Sequence, residues 1–324
     1  MLHKRIFEIS NKDEFEVVAL EVFQHQFSNN KVYREFCKFL KKTPKLVNTI
    51  KEIPFLPIEF FKTKDIVSDT ITPEITFTSS GTTGTTTSKH HVTNLAIYEE
   101  SFLKTFTEFY GNPSDYIFLA LLPSYLERKG SSLIYMADHL IKRSGNKESG
   151  FYLNNMEELS EKLINLDTAG KKVFLIGVSF ALLDLIEKKH FNLKNTIVME
   201  TGGMKGRRKE MIREELHQHL KTGFGVRKIH SEYGMTELLS QAYSKGEGIF
   251  DCPAWMRILI RDPEDALSLL PEGKTGGINV IDLANLNSCS FIATQDLGRV
   301  KNNKVEILGR FDNSDVRGCN LLLL

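Results

Sequence analysis

From residue 75 onward the chain alternates short apolar runs with amphipathic stretches, and this alternation restricts its fold more than any other feature. "DYIFLALLP", "KKVFLIGV" and "KNTIVMETGG" read as strands buried on both faces, while "SFALLDLIEKKH" and "KEMIREELHQHL" carry apolar residues at helical spacing between them. Strand and helix in alternation predict an α/β fold. Beyond residue 245, "RILIRD", "GGINVIDL", "SFIATQDLGRV" and "KVEILGR" follow one another without helices, which predicts an antiparallel or mixed sheet near the C-terminus. Upstream, Ser10 to about Leu56 is helical in pattern. Ser10 is placed to cap, Asp13 follows it, and Phe15, Val18, Val22 and then Phe36, Phe39, Leu40 recur at helix-like intervals, giving two or three helices. Pro54 and Pro57 in "IPFLPIEFF" block a helix and predict an extended segment laid on the core.

With 324 residues the chain is long enough for one large domain or one and a half. Its formal charge of +1 gives no global attraction to nucleic acid or to an anionic membrane, so any anion site has to be local. The four cysteines, Cys37, Cys252, Cys289 and Cys319, form no CxxC pair, which argues against structural zinc and a disulfide framework. Charges interrupt the N-terminus too often for a signal peptide, and no apolar run is long enough to span a bilayer. A soluble protein of the reducing cytoplasm is expected.

The segment "TFTSSGTTGTTTSKHHV", residues 76–92, concentrates hydroxyls and glycines just before a lysine and two histidines. Glycine lets a backbone fold tightly around an anion, and hydroxyls and lysine add donors and charge, so the segment suits a phosphate. It is not a Walker loop, because its glycines are too close together and the lysine does not follow the second. A plain Ser/Thr/Gly turn is the other reading of the same composition. "IGVSFAL" approximates the strand–nucleophile–helix elbow of hydrolases around Ser179, though a serine capping the helix that follows accounts for it more simply. The adjacent His90 and His91, and His217 with His219, share no helical face for a metal and are read as solvated. His230 stands close enough to the next motif to line a site or to pack in a polar loop.

Downstream come "HSEYGMTELL" at 230–239, "TQDLGRV" with Asp296, and "LGRFDNSDVRGCN" with Arg310 and Asp312. Together with the Ser/Thr/Gly loop, in this order, they resemble the adenylate-forming superfamily of acyl-CoA ligases, luciferases and adenylation domains. Within it, "IPFLPIEFFKTKDI", "LPSYLERKGSSLIYM" and the ending "RGCNLLLL" are most similar to the LuxE family of acyl-protein synthetases. The resemblance covers nearly the whole chain. It implies an α/β fold with mixed sheets and flanking helices that lacks the superfamily's small C-terminal domain. Residues 1–70 would be a helical lead packed on the core, 71–310 the acyl-adenylate-forming core, and 311–324 a short tail after the hinge motif at Asp312.

The same resemblance implies roles position by position. Thr78, Ser79, Ser80, Gly81, Thr82, Thr83 and Gly84 match the loop over the ATP phosphates, with Lys89 as its lysine. Gly202 and Gly203 match the adenine pocket, Tyr233 the aromatic against adenine, with Gly234 next to it, Thr236 the hydroxyl near the α-phosphate, and Glu237 the carboxylate for Mg2+. Asp296 matches the ribose carboxylate, although "TQD" stands where TGD is usual, and Arg310 the arginine that reaches ribose or phosphates. Cys319, sixth from the end, matches the cysteine that takes the acyl group as a thioester, a thiolate being a good acceptor from an activated carboxyl. The expected partners are a small-molecule carboxylic acid, fatty by the resemblance, and an acyl-accepting protein or reductase. The apolar residues of "LPSYLERKGSSLIYMADHLI" would line an acyl channel or simply fill the core. Open alternatives are an acyl-CoA ligase, a non-catalytic nucleotide or acyl carrier, and a serine acyltransferase using Ser179.

Overall fold

A computed structural model of the chain describes residues 2–68, 71–79, 86–123, 130–153, 155–204, 208 and 211–311. Its described helices are α1 (Leu2–Ile6), α2 (Lys12–Asn29), α3 (Lys31–Phe39), α4 (Phe60–Thr63), α5 (Leu95–Tyr110), α6 (Ser132–Ser144), α7 (Met156–Thr168), α8 (Ser179–Lys188) and α9 (Arg213–Phe224). Its strands are β1 (Leu56–Pro57), β2 (Ile75–Thr78), β3 (Lys89–Val92), β4 (Ile117–Leu121), β5 (Gly150–Tyr152), β6 (Val173–Val178), β7 (Thr196–Thr201) and β8 (His230–Tyr233). They continue with β9 (Ala242–Ser244), β10 (Ile249–Asp251), β11 (Met256–Arg261), β12 (Thr275–Asp282), β13 (Phe291–Lys301) and β14 (Lys304–Arg310).

One large sheet runs in the order β11-β12-β13-β14-β10-β9-β8-β7-β6-β4-β5. β5, β4, β6, β7 and β8 are parallel, and from β8 to β11 every neighbour is antiparallel. The central strands β4 and β6 are apolar and buried throughout because both faces are covered. On one face Phe106 of α5 meets Phe118 and Phe174 with ring centroids 5.5 and 5.2 Å away. On the other, α8 buries Phe180, Ala181, Leu182 and Leu185. The mixed sheet and its flanking helices are those of an α/β fold. β2 and β3 form a separate antiparallel hairpin.

Gln26 holds α2 to this sheet. Its carboxamide donates to the carbonyls of Asn285 and Leu286 at 2.9 and 3.1 Å and to Ser290 Oγ at 3.0 Å, and accepts from the Ser290 amide at 3.0 Å. The extended segment after α3 enters the sheet edge-on, with β1 parallel to β13, and Tyr33 donates to the Pro54 carbonyl at 2.8 Å. The cap of α2 sits one residue later than the pattern suggested. Asn11 accepts from the Glu14 amide at 3.0 Å, and Glu14 reaches back to the Ser10 amide at 2.8 Å. Since Gln26 is buried and fully engaged, Gln26→Leu should cost about 3 kcal/mol in urea unfolding by leaving several buried groups unpaired; a loss under about 1 kcal/mol would show that the 285–290 turn does not depend on it.

Candidate active site

Because β6, β7 and β8 are parallel, their carboxyl ends open on one side, at Ser179, at Gly202-Gly203 and at Gly234–Glu237. Open α/β sheets bind ligands in that crevice. The β2–β3 hairpin is set beside it. Its open end is closed by the Ser79 amide donating to the Ser88 carbonyl at 3.0 Å and the Ser88 amide donating to Ser79 Oγ at 2.9 Å. The Thr78 amide donates to the Gly130 carbonyl at 2.8 Å. Lys89 begins β3, exposed and opposite Thr78. Ser80, Gly81, Thr82, Thr83 and Gly84 lie outside the described residues, as do Asp312 and Cys319.

His90 corrects the solvated reading of the histidine pair. It is wholly buried, its Nδ1 is 2.9 Å from the Thr236 carbonyl and its Nε2 is 2.8 Å from Ser288 Oγ. A carbonyl only accepts, so the proton is on Nδ1, and Nε2 accepts from Ser288. Burial pushes this imidazole down to about 4, keeping it neutral. One side chain thus ties the strand leaving the Ser/Thr/Gly loop to the Thr236–Glu237 turn, 146 residues away. His91 is also engaged, with Thr76 Oγ1 at 2.8 Å and Asp65 Oδ1 at 3.1 Å.

The turn after β8 is braced by two further residues that the sequence motifs did not single out. Asp282 accepts from the amides of Leu239 and Ser240, both at 2.8 Å, and Asn285 donates to the Glu237 carbonyl at 2.8 Å while accepting from the Leu239 amide at 3.0 Å. Burial pushes Asp282 up to about 6 against these hydrogen bonds. An aspartate and asparagines inside the apolar run "INVIDLANLNSCSFI" were the available signal, since buried polar groups need a reason.

Tyr233, Asp296 and Arg310 come together across the direction change of the sheet. Tyr233 donates to Asp296 Oδ2 at 2.7 Å and Arg310 Nε lies 3.3 Å from Asp296 Oδ1. Burial raises the Asp296 carboxyl, and Tyr233, Arg310 and Arg261 offset this. Two of its four lone-pair positions are used, leaving two for incoming hydroxyls. Glu237 is buried and raised by desolvation, with the Ser88 hydroxyl and the charges of Arg310 and Lys62 acting the other way. Among the described residues no three of His, Cys, Asp and Glu gather as a metal cluster. Glu237 is thus a lone carboxylate there, and a hard cation such as Mg2+ binds through one or two carboxylates when phosphate and water complete its oxygens.

Gly202 has φ +68°, and a Cβ on Gly203 would meet nothing within 4 Å, so bare backbone faces open space there. Ser179 is neither cap nor nucleophile by geometry. It is the first residue of α8, with no side-chain cap, and its Oγ lies 3.2 Å from both the Gly202 carbonyl and Glu200 Oε2. No described histidine bonds it, as an elbow serine would require. His217, read as solvated, is buried. With Arg213 it meets Glu200, at 3.4 and 2.6 Å, and lies 3.3 Å from Ser231 Oγ, while His219 is exposed. Burial works against the Glu200 charge, but His217 and Arg213 hold it below the usual carboxylate range. His230 pairs with Tyr110 at 3.1 Å at the amino end of β8, away from the crevice. Burial pushes the thiols of Cys37 and Cys252 up to about 12 and that of Cys289 further still, so none of these is a ready nucleophile.

The sequence matches the acyl-protein synthetase family, LuxE, over residues 1–99 and 145–324. The chain belongs to that family. Two curated relatives are named long-chain-fatty-acid–luciferin-component ligase. The one from Vibrio harveyi is 25% identical across 92% of this chain and 84% of its own length, and the one from Aliivibrio fischeri is 24% identical across 93% and 85%. Among solved structures, ATP-bound MatB from Rhodopseudomonas palustris aligns with TM-score 0.55 and 18% identity over 72% of this chain, which spans 47% of MatB. An open 2-hydroxyisobutyryl-CoA ligase aligns with TM-score 0.69 and 12% identity over 94% of this chain and 72% of that one. At these identities the structures establish a shared adenylate-forming ligase fold. Among the described residues no helix is long and apolar enough to cross a membrane.

Neutral His90 gives this acyl-protein synthetase family member a measurable acid sensitivity. Its folded pKa lies below the free value, so the unfolded chain binds the extra proton, and stability is lost as pH falls from about 6.5 toward 4. The stability advantage of wild type over His90→Gln should therefore shrink by about 2 kcal/mol between pH 7 and pH 5 in urea titrations; a constant difference would mean that His90 is not buried neutral.

Proposed function

We propose that this chain uses ATP and Mg2+ to activate a carboxylic acid of the fatty class to an acyl-adenylate, then transfers the acyl group to the thiol of Cys319. The observation that carries the reading is the His90–Thr236 hydrogen bond, which sets the exit of the Ser/Thr/Gly loop against the Thr236–Glu237 turn in the crevice that also holds Asp296. The kinship with ligases that carry a fatty acid in their names supports the choice of acid.

Each role follows from the local chemistry. The backbone amides and hydroxyls of Ser79–Gly84, with Lys89 and Thr78 at the base of the loop, bind the β- and γ-phosphates. Gly202 and Gly203 let the backbone approach adenine, and the Tyr233 ring and Gly234 complete that wall. Asp296 accepts from both ribose hydroxyls with its free lone pairs, while Arg310 adds positive charge. Thr236 donates to the α-phosphate and Glu237 holds Mg2+, which neutralises phosphate charge when bound. A carboxylate oxygen of the acid attacks the α-phosphorus, and the bond to pyrophosphate breaks. Placing two anions side by side in a site of fixed donors supplies most of the rate.

In the second step the Cys319 thiolate attacks the acyl carbon and AMP leaves. Cys319 is nine residues beyond Arg310, a length over which an extended chain covers at most about 30 Å, which bounds how far from Arg310 the thiol can act. Intact-protein mass spectrometry after incubation with ATP, Mg2+ and a panel of acids should show a hydroxylamine-labile acyl increment on wild type and none on Cys319→Ala. An increment that persists in Cys319→Ala would move the acceptor elsewhere, and acyl-CoA formation without any protein increment would make the chain a CoA ligase.

A further inference from the structure

The stretch "IPFLPIEFFKTKDI" carries part of the family likeness, and none of the nucleotide contacts proposed above uses it. Its strand β1 runs along β13, the Ile58 amide donates to the Ala293 carbonyl at 3.0 Å, and α4 follows at once. Glu59 accepts from the side-chain amide of Gln295, the residue before Asp296. Buried Phe61 meets the His90 imidazole edge-on with ring centroids 5.6 Å apart, and Asp65 bonds His91 at 3.1 Å. Residues 59–65 thus form a strap, tied at one end to the strand that bears Asp296 and at the other to β3, which leaves the Ser/Thr/Gly loop. Gln295 makes "TQD" of the usual TGD, and a glycine there could not reach Glu59.

Lys62 stands midway along the strap, three residues from each of these ties. Its amide donates to the Glu59 carbonyl at 3.0 Å, so the backbone is held while the side chain stays exposed. Among the described residues its ammonium meets no carboxylate at ion-pair distance. His90, against which Phe61 packs, is bonded to the Thr236 carbonyl, so the strap borders the Thr236–Glu237 turn. Burial raises the Glu237 carboxyl, and the charges of Arg310 and Lys62 act the other way. Fixing a long lysine side chain costs entropy, and most surface lysines are not fixed. Here the two ties hold the root of the side chain beside the site, with its charge left for an incoming anion.

We propose that Lys62 is a catalytic residue of adenylation, its ammonium binding the departing pyrophosphate portion of ATP, with Glu59, Gln295 and Asp65 as the positioning residues of its strap. This rests on the acyl-activating reading above. When the carboxylate of the acid attacks the α-phosphorus, the bond to the bridging oxygen breaks and its electron pair stays on pyrophosphate. Negative charge therefore grows on that side of the site during the step, and a fixed ammonium stabilises it more than it stabilises bound ATP.

The test is acid-dependent exchange of pyrophosphate into ATP by the full chain. Lys62 is exposed, so its substitution leaves the core intact. Lys62→Met removes the charge and should lower kcat about 100-fold while changing the KM for ATP less than about threefold, and Lys62→Arg should keep at least about a tenth of the wild-type rate. Gln295→Gly releases the strap; it should slow exchange about tenfold in wild type but less than about twofold in Lys62→Met, since the strap then has no charge to position. Exchange by Lys62→Met within about threefold of wild type overturns the proposal. Equal losses in Lys62→Met and Lys62→Arg also overturn it, as does a loss of the same size in Lys64→Met. Losses that multiply in the Gln295→Gly and Lys62→Met double variant overturn the positioning by the strap. No exchange by wild type with any acid overturns the acyl-activating reading itself, and this role with it.

Discussion

The turn that leaves β8 runs through the interior, where its amides and carbonyls have to be paired by protein groups. Asp282 and Asn285 do this for Leu239, Ser240 and the Glu237 carbonyl, and His90 does it for Thr236. Buried polar networks of this kind rigidify only when every member is satisfied. Here the satisfied network connects β3, the β8–β9 turn and the β12–β13 connection, and Gln26 extends it to α2. Thr236 and Glu237 gain fixed positions as a by-product of that pairing, which is what preorganised chemistry on two anions requires.

The reversal of strand direction at β8 supplies the other half of the arrangement. Parallel strands deliver Ser179, Gly202 and Gly234 to one end, and the antiparallel strands that follow return Asp296 and Arg310 to the same end, where Tyr233 joins the two parts of the sheet. The two faces of the parallel part then carry different polar groups. Glu200 with Arg213 and His217 lies beneath the Gly202 backbone, and Glu232 with Gln241 lies on the opposite face.

The strands were legible because each reports locally: "KKVFLIGV" and "KNTIVMETGG" are buried on both faces, and the helices between them show their apolar stripe. The four motifs were legible as an ordered set, and the structure brings Tyr233, Asp296 and Arg310 into contact. What escaped were residues outside those motifs whose role depends on a distant partner. His90 and His217 look like surface histidines in sequence, and only the fold brings Thr236 to the first and Glu200 to the second. Ser179 fits a helix cap by local pattern, yet its partners are Glu200 and Gly202. Glu232 and Gln241 stand nine positions apart, and Gly234 shows that both flank it only through the Cβ it lacks.

The most direct test of the account is exchange of labelled pyrophosphate into ATP by the purified chain, with and without carboxylic acids. Reversible formation of an acyl-adenylate predicts exchange that requires both acid and Mg2+ and that, on the ribose role proposed for Asp296, collapses in Asp296→Ala. Exchange that proceeds without acid, or a complete lack of exchange in a chain that binds ATP, would contradict it.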